Sequence, residues 1–496
     1  MFLDSAQPEE ESSGDGVLNI ELHERQTVAY ETLGTEVLYG GAAGGGKSHL
    51  ERCAAILWCL QIPGLQVYIF RREFPDLYKN HMEGPSGFPS LLAPLVNSGH
   101  VKINYSANQI KFYNGSKIHL CHCKHEKDVY GYQGAEIHVL IIDELTHFTE
   151  SMYRYLRGRV RMAGIVLPEW AQGLFPRILC GTNPGGVGHN WVKQTWVDML
   201  KPLEIKLMDD DEGGFLRQYI PAKMTDNPTL LRDDPKYLQR LEGLGNPALI
   251  KAMRDGDWNI VAGGALDDVW DPDRVIVPRF RIPRGWRVDR SFDWGSARPF
   301  ACIWWAEADG TEATLPNGRK WAPPKGTLIA IQEWYGAKKA NEGLKMPAKA
   351  VGRGIVDMDT SLQTGQWIAR AVRPGPADNA IADVQNPGTP TIADDMGKAG
   401  CRWEKSDKSP GSRKNGLELL RTRLSETKKE TGPEGPAFYI MDHCRNLINH
   451  LPVLPRDVKN PEDVDTASED HDYDATRYRV LKGSGAAEEL KINLPR

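Results

Sequence analysis

At 496 residues with 40% hydrophobic side chains, the chain is long enough to bury large cores and to divide into two or more domains. A net charge of −5 excludes a global basic field, so any nucleic-acid contact must come from local patches. The longest apolar runs, such as Val139 to Ile142 and Ala301 to Ala306, are far too short for a bilayer, the acidic N-terminus lacks the basic start of a secretory signal, and eight scattered cysteines form no disulfide framework, so a cytosolic protein is expected.

In chain order, residues 1–17 are acidic, polar and expected to be flexible. An α/β block with a mostly parallel sheet is expected from 18 to 260, because short apolar strands alternate with helical stretches. Near its start lies Gln26, shortly before the strand Val37-Leu38-Tyr39. Gly41-Ala42-Ala43-Gly44-Gly45-Gly46-Lys47-Ser48 follows and satisfies G-x-x-x-x-G-K-[ST], with a helix predicted from Ser48 to Leu60. Glycines let successive backbone N–H groups point at phosphate oxygens, Lys47 supplies a mobile positive charge, and the Ser48 hydroxyl is placed to ligate magnesium. The strand Val67 to Phe70 leads into Arg71 and Arg72, each a candidate cation for a phosphoryl-transfer transition state. Cys121-His122-Cys123-Lys124-His125 invites a zinc reading, but alternation along Lys117 to Cys123 fits a strand and the spacing is not C-x-x-C.

Val139-Leu140-Ile141-Ile142 is a buried strand ending in Asp143 and Glu144. This is the form of a Walker B element, in which Asp143 would hold magnesium and Glu144 would polarise the water attacking the γ-phosphate. Arg157, Arg159 and Arg161 come next, each a candidate cation for the transition state, within one subunit or across to a neighbour, and each equally readable as part of a solvated helix face. The strand Arg177 to Cys180 runs into Gly181-Thr182-Asn183-Pro184, where a γ-phosphate sensor belongs.

Glycines, prolines and weak periodicity mark 261–286 as a linker. A second α/β block is predicted over 287–482, with a turn-rich excursion from Pro316 to Gly326 and a flexible tail at 483–496. Asp293, Asp378 and Asp474 fall in this block, and spacing alone does not separate them from Asp289, Asp383 or Asp470. The densest basic region, with Lys398, Arg402, Lys405, Lys408, Arg413 and Lys414, could clamp DNA phosphates or simply be a solvated loop.

These motifs together resemble the large terminase subunit of tailed double-stranded DNA phages over nearly the whole chain. Gln26, the phosphate loop, Ile142-Asp143-Glu144 and Gly181-Thr182-Asn183-Pro184 stand in the order of that family's adenine, Walker A, Walker B and coupling motifs. Ala222-Lys223-Met224-Thr225-Asp226-Asn227-Pro228, continuing to Gly256-Asp257-Trp258, is similar to its lid region, about 195–260 here. Phe292-Asp293-Trp294-Gly295, Ala377-Asp378 and Asp474-Ala475-Thr476-Arg477-Tyr478 are similar to the three acidic motifs of its nuclease, with Asp470 in reserve. Many relatives carry an arginine inside the phosphate loop where this chain has Ala42 and Ala43, which strengthens Arg157, Arg159 and Arg161.

The resemblance implies a P-loop NTPase domain of ASCE type followed by an RNase H-like nuclease domain. Implied cofactors are ATP with Mg2+ and two divalent cations, Mg2+ or Mn2+, at the nuclease. Implied partners are double-stranded DNA, a ring of like subunits with a pentamer as the expected size, a portal protein and a small terminase subunit, in the host cytoplasm and not in the mature virion. A helicase-type ATPase with a nuclease domain and a nucleotide-gated DNA-binding scaffold are the competing readings.

Overall fold

The structure is a computed structural model that describes residues 18–243, 250, 253–259, 264–339, 342–384, 388–457, 459–466 and 468–482. The N-terminal segment 1–17 and the tail 483–496 lie outside these, as do parts of the expected lid and residues 261–263 of the expected linker. The chain divides into two compact units, one holding 18–183, 195–241 and 253–256, the other 184–194 and the residues from Asp257 on.

The first unit is built on a nine-stranded sheet: β1 (Glu36–Gly41), β2 (Gln66–Arg71), β3 (Val101–Asn104), β4 (Gln109–Phe112), β5 (Lys117–His122), β6 (Val139–Asp143), β7 (Arg177–Thr182), β8 (Ile205–Leu207) and β9 (Leu216–Ala222). Their order is β3-β4-β5-β2-β6-β7-β1-β9-β8. All pairings from β5 to β9 are parallel, and only the edges are antiparallel. β7 lies between β1 and β6, so the strand before the phosphate loop and the strand carrying Asp143 are not neighbours, which is the ASCE arrangement. The central strands β1, β6 and β7 are buried along their whole length. The helix Lys47–Gln61 buries Leu50, Ala54, Ile56 and Trp58 in that core. The Cys121 stretch is strand β5, and among the described residues no cluster of three metal ligands forms there.

The second unit holds β10 (Ile276–Val277), β11 (Arg287–Asp293), β12 (Ala301–Glu307), β15 (Leu328–Tyr335), β18 (Pro376–Ala377), β19 (Glu404–Lys405) and β20 (Phe438–Met441), in the order β10-β20-β15-β12-β11-β18-β19. Two ribbons complete the strand set: β13 (Ala313–Thr314), just before the expected excursion, with β14 (Lys320–Trp321), inside it, and β16 (Ala337–Lys339) with β17 (Glu342–Gly343). β11, β12 and β15 form an antiparallel meander, and β18 and β19 add parallel strands on the β11 side. That is the RNase H-like strand order, extended by β20 and β10. The helix His471–Leu481 packs on β11 and β12, and the helix Ser412–Lys428 packs on it and on β20. Trp304 and Trp305 are fully buried at the centre, each contributing roughly 1.5–3 kcal/mol or more of hydrophobic stabilisation.

The stretch expected as a linker is corrected by the structure. From Gly264 on, its apolar residues Ala265, Leu266, Val275, Phe280 and Trp286 are buried in the second core, and β10 joins the second sheet. Glycines and prolines there mark tight turns between buried anchors, so local composition misread a packed segment as a connector.

Candidate active sites

In the first unit, β1 ends at Gly41 and the chain turns into the helix that starts at Lys47. Gly46 has φ +75°, and a Cβ there would lie 2.4 Å from Gln26 Nε2, so only glycine fits the turn. Gln26 Nε2 donates to Gly46 O at 2.8 Å and its Oε1 accepts from the His23 amide at 2.8 Å. Its amide therefore braces the end of the loop, a use that the sequence did not disclose. Asn227 Nδ2 donates to Gly44 O, and the amides of Ala42 and Ala43 donate to Ala222 O and Met253 O, so the expected lid segment holds the loop's outer side.

Lys47 Nζ donates to Ala42 O at 3.0 Å and to Asn183 Oδ1 at 2.5 Å. Burial draws its ammonium below the usual lysine range, against the pull of Glu144, Asp143 and Glu51. Ser48 Oγ lies 3.5 Å from Asp143 Oδ1. Asp143 Oδ2 meets Arg71 Nη1 at 3.0 Å, Asn80 Nδ2 at 2.6 Å and His81 Nε2 at 3.1 Å. Burial alone would raise the Asp143 carboxyl, but His81, Arg71 and Asn80 together hold it well below the carboxylate range. Glu144 follows in the left-handed region at φ +59°, which turns its side chain away from the strand register, and Asn183 Nδ2 lies 3.5 Å from Glu144 Oε1. Thr182 Oγ1 accepts from the Thr146 amide. Lys47, Asn183 and Glu144 thus form a chain across the tips of β1, β7 and β6.

The arginines after β6 are committed elsewhere. Arg157 is buried on Glu36 (3.3 Å) and Glu212 (3.8 Å), the guanidinium of Arg159 stands over the Tyr155 ring, and Arg161 donates to Gly134 O. Arg71, at the tip of β2, instead reaches the Asp143 carboxylate.

In the second unit, Phe292 of β11 pairs with Ala377 of β18, and the Asp378 amide donates to Phe292 O at 3.0 Å. The next residue on each strand is an aspartate, so Asp293 and Asp378 stand side by side, whereas Asp383 is exposed beyond the following turn. Asp474 sits in the first turn of the helix His471–Leu481, and Asp470 is that helix's N-cap residue. His471 Nδ1 lies 3.0 Å from Asp293 Oδ2, and the Tyr478 hydroxyl donates to Asp293 Oδ1 at 3.2 Å. Burial pushes Asp293 up to about 6, with the charges of Asp474 and Asp378 adding to it against the His471 hydrogen bond. Burial and then the Asp474 charge likewise lift Asp470 well above the carboxylate range. Mutually repelling, largely desolvated carboxylates are the donor set that a hard divalent cation relieves.

A cleft of about 470 Å³ opens over Asp378 and Asp474, rimmed by Lys408, Arg413, Lys414 and Tyr478. Lys408 ion-pairs with Asp378. Arg413 reaches Asp463 at 3.0 Å and Asp474 at 3.3 Å, and Lys414 reaches Glu462 at 2.8 Å. Lys405 is exposed on β19. His471 escaped the sequence reading, although its position three residues before Asp474 at a helix start places both on one helical face.

The sequence from residue 34 to 257 matches the phage terminase large subunit family. Residues 34–257 belong to that family. No curated protein matches the chain. Among solved terminases, the large terminase of a thermophilic bacteriophage in complex with ADP is 16% identical over 92% of this chain and 98% of its own, with a TM-score of 0.38. The P22 large terminase nuclease domain is 14% identical, covering 45% of this chain and 94% of its own at a TM-score of 0.31. The Thermus phage P74-26 large terminase ATPase domain is 12% identical, covering 48% and 94% at a TM-score of 0.34. For both units, the fold assignment rests on the strand orders given above.

Proposed function

We propose that the chain is an ATP-driven motor for double-stranded DNA that also cuts DNA, with an ATPase domain over 18–260, a lid within about 195–260 and a nuclease domain that takes in the packed segment from 264 and runs to 482. The observation that carries this reading is the pairing, in one chain, of a phosphate loop facing Asp143 and Glu144 with a separate convergence of Asp293, Asp378 and Asp474. In the first site Lys47 and the loop amides hold the ATP phosphates, Ser48 and Asp143 hold Mg2+, and Glu144 takes the proton of the attacking water. Lys47 shares Asn183 with Glu144, so loss of the γ-phosphate is felt at the tip of β7. Arg71, at Asp143, is the cation we assign to this site in place of Arg157 or Arg159.

In the second site Asp293, Asp378 and Asp474 hold two divalent cations, Mg2+ or Mn2+, which supply Lewis acidity for phosphodiester hydrolysis. His471 orients Asp293, and Lys405, Lys408, Arg413 and Lys414 receive the DNA backbone without reading sequence. Ring assembly of like subunits, docking on a portal and a small subunit that selects the site complete the proposal, with action in the host cytoplasm. Among the described residues no helix is long and apolar enough to cross a membrane.

Plasmid cleavage with Mg2+ or Mn2+, followed alongside ATP hydrolysis, tests the reading. Asp293→Ala should abolish cutting and spare hydrolysis, and Lys47→Ala should do the reverse. Cutting that survives Asp293→Ala would sink the nuclease assignment, and unwinding of forked DNA would favour a helicase.

A further inference from the structure

Around Asp143 Oδ2, which also accepts from Asn80 and Arg71, lies a group of side chains that ATP hydrolysis as described does not use. Glu51 sits one turn after Lys47 on the helix Lys47–Gln61, is 1% exposed, and neither of its carboxylate oxygens has a hydrogen-bond partner. His81, on the helix Phe74–Met82, is fully buried; its Nε2 faces Asp143 Oδ2 and its Nδ1 has no partner. One ligand atom from each of Glu51, His81 and Asp143 lies within 4.8 Å of the other two.

A buried, unpartnered carboxylate is costly in either protonation state. Ionised, it lacks a compensating charge in contact; protonated, its O–H would still lack an acceptor. The nearest cations do not relieve it: Arg52 donates to Asn80 O, Arg71 is on Asp143, and Lys47 is on Ala42 O and Asn183. Nor has Glu51 room to retreat, since a Cβ on Gly181 would stand 2.3 Å from Glu51 Oε1. One imidazole nitrogen with two carboxylate oxygens is a donor set for Zn2+, Mn2+ or Co2+, and a cation about 2.1 Å from each ligand would draw them to roughly 3.4 Å apart, a small side-chain adjustment.

We propose that Glu51, His81 and Asp143 form a second cation site in the first unit, taking a divalent transition cation through Asp143 Oδ2, while Asp143 Oδ1 remains turned toward Ser48. The site stands whether or not nucleotide is bound, and it makes Asp143 a carboxylate with a cation position on each edge.

Nucleotide-free full-length protein bearing Asp293→Asn and Asp474→Asn, which removes two of the three carboxylates assigned to the second site, should bind one equivalent of Co2+ with visible absorption bands of low-coordinate cobalt. Glu51→Gln and His81→Asn should each weaken that binding at least tenfold, whereas Ser48→Ala should leave it intact. Equal Co2+ affinity with and without Glu51→Gln overturns the proposal, as does loss of the bound equivalent in Ser48→Ala. Should the Glu51 and His81 variants not fold, the melting temperature of the Asp293→Asn, Asp474→Asn protein decides instead. Co2+ without nucleotide should raise it, and no rise overturns the site. Failure of this test leaves the Lys47→Ala outcome on hydrolysis untouched, so the two readings fall separately.

Discussion

Lys408 occupies Asp378, and replacing it by methionine separates two roles that its position combines. The ion pair is half open to water, its side chains 40% and 19% exposed, so it contributes about 0–1 kcal/mol rather than the larger sum of a buried pair. A cation entering the site must displace the ammonium, which sets the expected gain in metal affinity on its removal at up to about fivefold. The methionine keeps an apolar stem beside the Tyr478 ring, over which Lys408 Nζ stands at 5.5 Å. The assay is plasmid nicking against Mn2+ concentration at low ionic strength. The Mn2+ midpoint should fall by about two- to fivefold in Lys408→Met, and the difference should shrink as salt is added. The maximal rate, read at saturating Mn2+, should drop because a phosphate contact has gone. An unchanged or higher midpoint at low salt refutes the idea that Lys408 competes with the cation.

Arg71→Ala should lower ATP turnover by tenfold or more with little change in melting temperature, whereas Arg157→Ala should lower the melting temperature by several degrees, an effect of about 1–3 kcal/mol, and keep turnover per folded molecule; parallel hydrolysis and thermal melts distinguish them. Gly46→Ala imposes a left-handed alanine, costing about 1–2 kcal/mol, and drives a methyl into Gln26, so hydrolysis should be lost while plasmid cutting persists. His450, fully buried against Asp472 at 2.7 Å, is raised to about 9: burial lowers it, but the charge and hydrogen bond of Asp472 prevail. Its folded pKa exceeds the unfolded value near 6.5, so its stabilisation is complete below that pH and is lost as pH rises through about 9. Melts from pH 6 to 10 should show a decline on the order of 3 kcal/mol that His450→Asn flattens.

The ATPase elements were legible because their signals are local. A strand, a glycine-rich turn and a helix follow one another without interruption, so Val37 to Tyr39 and Ser48 to Leu60 fall inside β1 and the helix Lys47–Gln61. The acids of β6 and the polar tip of β7 were legible for the same reason, as ends of continuous apolar runs. The partners of Asp143 were not, since Arg71, Asn80 and His81 reach it from a different strand and helix, and only the β2–β6 pairing brings them there. Arg157 misled because a buried ion pair and a catalytic arginine have the same sequence appearance; Glu36, its partner, lies on β1. In the second unit resemblance picked Asp378 over Asp383, and the β11–β18 register sets Asp378 beside Asp293. The basic loop was read as one patch, yet three of its cations are balanced by acids that only folding delivers: Asp378, Asp463 and Glu462.

The single rung between Phe292 and Ala377 also says how such a chain can evolve. β18 is only two residues long, so the alignment of Asp293 with Asp378 has no spare length to absorb an error. A one-residue insertion between Ala377 and Asp378 would swing the second carboxylate to the opposite face of the sheet. The three residues before Pro376 are tied down as well, since the Arg373 amide donates to Val288 O at 2.9 Å and Gly375 lies against the Arg290 carbonyl, so only length changes before Arg373 leave that rung in place. Descendants of this sequence are free to lengthen or rebuild the turn that follows the helix Ala348–Thr364, while the run from Arg373 to the aspartate is frozen.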